Sequence, residues 1–224
     1  TVGAMDFNNT VTLNGDVTAN SAGAITFDDT ISGAQALVLN GNAVTLLGSV
    51  GDTGAGLTAL TSLNVTGSAT LASLGAINIE TNGAVDFNDA VQLDNTVTIT
   101  SNGNTITFAD NVNGGGADLL LDAGTTGTIT FSGLSMLVNN LEIINSNGAT
   151  FTGGIGTVGN LTITDTEDGA VVSFQDVVNV DDLVTTANGY LVSMTGTGNT
   201  FAANVDFLNT GAVTLGDATT DTFA

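Results

Sequence analysis

One phrase returns down this chain: a small residue, an aliphatic, Thr or Asp, then Phe, followed by Asp or Asn. It reads GAMDFNNTVTL at 3–13, GAITFDDTISG at 23–33, TNGAVDFNDAVQLDN at 81–95, NTITFADNVNG at 104–114 and GTITFSGLSML at 127–137. The residues that close the copies are Phe7, Phe27, Leu46, Leu71, Phe87, Phe108, Phe131, Phe151, Phe174, Phe201 and Leu215. Their mean spacing is about 21 residues, inside the range that marks solenoids and related arrays. A unit that short cannot bury its own apolar face, but stacking one unit on the next can. The stretch 47–77 fits the repeat least well.

Each closing residue has a second apolar-x-apolar phrase upstream: Leu37/Leu39, Leu63/Val65, Ile77/Ile79, Val97/Ile99, Leu119/Leu121, Leu141/Ile143 and Leu161/Ile163. Leu191/Met194 breaks that spacing by one residue. A third short apolar piece follows a turn, as in TIS, AVQL, NVN and VVNV. Alternation at period two runs through every piece, which predicts strands, and no helical spacing persists. The expected fold is all-β: a parallel β-helix (β-solenoid) of 10–11 coils, roughly 21 residues each, with three short strands per coil. It forms one elongated segment over 1–224, on the order of 50 Å long at the strand spacing. The closing residues form an inward column. The residues just before them form an outward one, all polar: Asp6, Thr26, Thr45, Thr70, Asp86, Thr107, Thr130, Thr150, Ser173, Thr200 and Thr214. Tandem sandwich domains also show short strands, but their period is nearer a hundred residues.

Composition narrows the functions. The chain has no Lys, Arg, His, Pro, Cys or Trp, and its 22 acids leave a formal charge of −22. Yet 42% of residues are hydrophobic, far from the regime of disordered acidic chains. Without cations it repels nucleic acid and anionic lipid alike, and no run approaches the ~20 apolar residues that span a bilayer. The absence of Pro suits a ladder in which almost every strand is central. The chain starts inside a repeat phrase and carries no signal-peptide pattern, so it reads as part of a longer chain.

GAITFDDTISGAQALVLNGNAVTLLGSVG (23–51) and LTALTSLNVTGSATL (57–71) resemble, in repeat style, very large bacterial surface proteins. These are the filamentous-haemagglutinin-like and autotransporter-type adhesins with β-helical stalks. The resemblance covers nearly the whole chain. It implies a right-handed parallel β-helix, export to the cell surface, and a part in adhesion, matrix or filament. The lack of Lys and Arg departs from such stalks and leaves open a specialised fibre or sheath.

Catalysis is not expected. No imidazole, amine or thiolate is present. The adjacent acids Asp28/Asp29, Asp181/Asp182 and Glu167/Asp168 are glycosidase candidates only by adjacency, since neighbouring strand residues point to opposite faces. A sugar platform would have Tyr190 as its one plausible exposed aromatic. Calcium is the one cofactor the residues suggest: NGGGADLLL (113–121) resembles a single Gly-rich calcium nonapeptide, with Asp118. TDTEDG (164–169) gathers Asp165, Glu167 and Asp168 without EF-hand spacing. A corner and an acidic turn are the simpler readings of both. Paired Thr105/Thr107 and Thr128/Thr130 raise a remote ice-binding alternative. The expected function is a structural or adhesive segment of an extracellular, cell-surface fibrous protein. Its partners are flanking coils, further copies or a surface glycan, and a calcium- or glycan-binding module is the alternative.

Overall fold

A computed structural model describes residues 3–157 and 159–216. The described residues wind into ten coils of a parallel β-solenoid, each visiting three faces in the same order. Coil 1 contributes Met5–Phe7 to face 1, Val11–Thr12 to face 2 and Val17–Asn20 to face 3. Coil 2 repeats this with Ala24–Phe27, Ile31–Ser32 and Ala36–Asn40. The pattern continues to coil 10, with Thr200–Phe201, Val205–Asp206 and Val213–Leu215. Faces 1 and 3 are each unbroken ten-stranded sheets. Face 2 is a seven-stranded sheet from Ile77–Glu80 onward, joined to the two-stranded start through bridges from Val50 to Ile31 and to Ile79.

Why these residues fold this way follows from the alternation. In Ala24–Phe27, Ile25 and Phe27 are buried while Ala24 and Thr26 are not. The register stacks like on like: Met5, Asp6 and Phe7 pair with Ile25, Thr26 and Phe27. A one-residue slip would turn every inward side chain outward, so burial pins the register. The corners bring neighbouring coils so close that a Cβ at Gly153 would overlap the Gly133 carbonyl oxygen. Buried hydroxyls at the corner between faces 2 and 3 take up backbone acceptors. Thr81 Oγ1 donates to Gly83 O (2.6 Å) and Ser101 Oγ to Asn104 O (2.6 Å), as buried polar groups must be paired.

The closing residues do not form one column. Phe7, Phe27, Leu46 and Leu71 stack on face 1. Phe87, Phe108, Phe131, Phe151 and Phe174 stack on face 3, with Leu215 at its end, and Phe201 is back on face 1. The change falls in coils 3 and 4. Coil 3 has no full face-2 strand and carries a 3-10 turn at Thr53–Ala55, capped by Asp52. Volume explains why the phrase can change face. In coils 4 and 5 one inward ring sits beside a Leu on the other face, Phe87 with Leu71 and Phe108 with Leu93. In coil 6 Phe131 shares the core with Gly114, which stands between Leu93 and Val138. Coils 1, 2 and 4–8 each carry one ring at these positions, on either face, while coil 3 carries none there and the terminal coil 10 packs Phe201 and Phe207 against the core.

Two finer expectations are corrected. Leu191 is not the inward partner of Met194: Val192 is buried and pairs with Val172, so the alternating spacing is intact. Tyr190 is fully buried rather than exposed. Its hydroxyl donates to Ile163 O (2.8 Å) and accepts from Thr186 N (2.9 Å), which satisfies the polar tip inside the core.

Candidate functional site

The outward faces are all that such a rod can offer a ligand, and their chemistry is set by the residues between the inward ones. On face 3, Thr107, Thr130, Thr150, Ser173, Ser193 and Thr214 stand in register over six successive coils. Their spacing is the strand spacing, about 4.8 Å. The column beside it begins as Thr105 and Thr128 but continues as Gly148, Val171 and Leu191. The doubled threonine array therefore spans two coils. A shallow depression of about 380 Å3 lies there, lined in part by Thr128, Thr130, Thr150 and Val171. The remaining outward residues of the repeat phrase, Asp6, Thr26, Thr45, Thr70 and Thr200 on face 1 and Asp86 on face 3, are also outside the core.

The acids, unexplained by sequence, have structural work at the corners. Asp29, Asp89, Asp110, Asp165 and Asp176 each accept a hydrogen bond from the next residue's backbone N, at 2.7 to 2.8 Å. Such side-chain-to-backbone bonds stabilise turns without any cation, because the N–H dipole is the partner. Asp29 also accepts from Thr10 Oγ1 (3.0 Å). The Thr30 backbone bond, and then the Thr10 hydroxyl, hold its carboxyl below the usual value. Glu80 accepts from Thr53 N (2.9 Å) and Thr53 Oγ1 (2.7 Å), tying the 3-10 turn of coil 3 to coil 4.

The calcium candidates are distributed rather than gathered. Asp118 opens the face-2 strand of coil 6, where Oδ1 accepts from Asn139 Nδ2 (2.9 Å) and Asn140 Nδ2 (2.7 Å) of the next coil. Asp165, Glu167 and Asp168 lie in one turn of coil 8. There Asp165 takes Asn188 Nδ2 (2.9 Å), Asp168 takes the Gly189 N–H (2.8 Å), and Glu167 is exposed. Among the described residues no group of three or more His, Cys, Asp or Glu is placed to hold a metal ion. Of the adjacent acid pairs, Asp182 receives both the N–H (2.9 Å) and Nδ2 (3.0 Å) of Asn204. It is a rung between coils.

Sequence reasoning missed the exposed apolar residues. Leu74 and Leu134 are almost wholly exposed, and Leu137 half so, on an outward position of face 1. The signal for Leu74 was present in ASLGA (72–76), an apolar residue inside a turn-like run. No described aromatic is exposed, so a stacking platform for sugar rings is missing among the described residues. No described helix is long and apolar enough to cross a membrane. Comparisons with protein-family models, with curated proteins and with solved structures return no match.

Proposed function

We propose that this chain is a non-catalytic structural and adhesive segment of an extracellular, cell-surface fibrous protein, of the filamentous-haemagglutinin or autotransporter stalk type. The observation that carries the reading is the uninterrupted stack. Faces 1 and 3 run through all ten coils as single sheets, over one continuous core. Such an object is quasi-one-dimensional: each coil depends on its neighbours, and the rod sets a distance and presents repeating surface. The outward hydroxyls, amides and carboxylates solvate that surface. Their charge argues against nucleic-acid or anionic-lipid partners, and flanking coils or further copies are the natural partners of its end faces.

The test is immunogold labelling of intact source cells. Label along surface fibres without permeabilisation is expected, and label only after permeabilisation would sink the cell-surface reading. The calcium alternative is separated by melting the purified rod with and without millimolar calcium; an unchanged midpoint is expected.

A further inference from the structure

The corner that follows face 1 holds a groove that neither the core nor the turns require. Asp28, Leu47, Ala72 and Asp94 occupy equivalent places in coils 2, 3, 4 and 5. Their backbone N–H groups donate to Phe7 O (2.9 Å), Phe27 O (2.9 Å), Leu46 O (3.0 Å) and Leu71 O (3.0 Å). They therefore form a line along the rod axis, with an acid at each end and two apolar residues between. In coil 4 the chain leaves the corner in the loop Ser73–Ala76, which lifts Leu74 fully into solvent. Asn95 Nδ2 of coil 5 donates to Ser73 O and holds the loop's base. These residues enclose an open groove of about 520 Å3.

Its charge has no internal answer. Asp28 and Asp94 are exposed. The Asp94 carboxylate accepts one bond, from Gln92 Nε2 (3.2 Å), and the Asp28 carboxylate has no side-chain hydrogen bond among the described residues. The chain contains no Lys, Arg or His at all. A second copy of this sequence would bring only further carboxylates to this place, so it cannot supply a cationic partner.

The spacing specifies the rest. Coils 2 and 5 are three strand spacings apart, so the two carboxylates lie about 14 Å apart along the axis. In an extended peptide, residues i, i+2 and i+4 share one face, and i to i+4 covers about 13 Å. We propose that this groove docks an extended segment of a different protein with the pattern cation–x–apolar–x–cation. The cations sit over Asp28 and Asp94, and the apolar side chain packs on Leu47 and Ala72 beneath Leu74. The contact is small and belongs with weak, transient interfaces.

The probe is a fluorescent peptide, Gly-Arg-Thr-Leu-Thr-Arg-Gly, titrated into the purified rod and followed by anisotropy. A scrambled peptide of equal charge, Gly-Arg-Arg-Thr-Leu-Thr-Gly, controls for attraction to the acidic surface as a whole. The patterned peptide is expected to bind at least about tenfold tighter than the scrambled one, the sum of two ion pairs and one apolar contact. Asp28→Asn with Asp94→Asn, and separately Leu74→Ser, are each expected to remove that preference. Their exposure leaves the melting midpoint unchanged. Equal binding of both peptides, no binding at millimolar peptide, or indifference to these substitutions overturns the proposal. So does sedimentation showing a dimer that Leu74→Ser abolishes, since the groove would then close on a second copy. All readouts use the isolated rod, so they stand or fall independently of where the protein resides.

Discussion

Coils 1–2 and coils 4–8 solve the same packing problem with the ring on different faces. In the first region Phe7 stacks on Phe27 on face 1, with centroids 4.5 Å apart and planes within 9°. In the second, Phe87 and Phe108 stack on face 3 at 5.4 Å and 7°, and Phe151 and Phe174 at 5.0 Å and 14°. Between the regions lies coil 3, which has Leu46 and Val65 at the two corresponding positions and no ring at either. It is also the coil that carries the 3-10 turn. The faces are thus interchangeable as hosts for the ring, whose place changes across the ringless coil 3.

Removing a ring from the second region should have the largest effect. Phe131→Ala, at a fully buried side chain between Phe108 and Phe151, is expected to cost about 3–5 kcal/mol in urea unfolding. Phe7→Ala should cost distinctly less, because Phe7 is only half-buried in coil 1. Equal losses would mean the two regions are not packed to different depths. Adding a ring sharpens the comparison further. Leu71→Phe places a second ring in coil 4 beside Phe87 and is expected to cost about 1–3 kcal/mol through overpacking. Leu46→Phe, in the ringless coil 3, extends the Phe7–Phe27 stack and should cost less than about 1 kcal/mol. If the order of these two reverses, one ring does not fill coil 4.

The junction can be probed by itself. Asp52 Oδ1 caps the 3-10 turn by accepting from Ala55 N (3.2 Å), and Oδ2 accepts from Asn78 Nδ2 (2.8 Å) of coil 4. Asp52→Ala should lower stability by about 1 kcal/mol, as loss of a capping side chain does. The smallest expected effect is at Asp29 in coil 2. Its carboxyl lies below the ordinary value of 3.8 in the folded chain. Its contribution is therefore present above that value and lost as pH falls through the lower folded one. Comparing melting curves of the parent and Asp29→Asn from pH 6 to pH 2.5 should show a slightly steeper acid-side fall in the parent. An identical pH profile would remove Asp29 from the account.

Much of the fold was legible because a strand states its buried face at every second residue. Ile25 and Phe27, or Val85 and Phe87, announce themselves wherever they stand. Which face they stand on is not a local property, since the same alternation reads identically on all three. The irregular intervals were the available clue: Leu71 to Phe87 is 16 residues and Phe174 to Phe201 is 27, against a mean near 21. Tyr190 was misread for a related reason. A residue at a corner has no alternation to assign it, and its burial depends on a carbonyl, Ile163 O, that is 27 positions away in sequence. The groove was illegible as well, because Asp28, Leu47, Ala72 and Asp94 become neighbours only when four coils are stacked.

The sequence by itself determined that this chain is all-β, wound in coils of about 21 residues, and devoid of any cation to meet its 22 acids. Period and charge are sums over residues and need no partner. Only the tertiary structure decided which face receives each ring, why so many acids sit at corners beside backbone N–H groups, and where two uncompensated carboxylates flank an apolar floor. The corner acids bond to the next residue's N–H, but which corner they stand at, like the place of each ring and of the groove, is fixed by which coil lies above which, about 20 positions away.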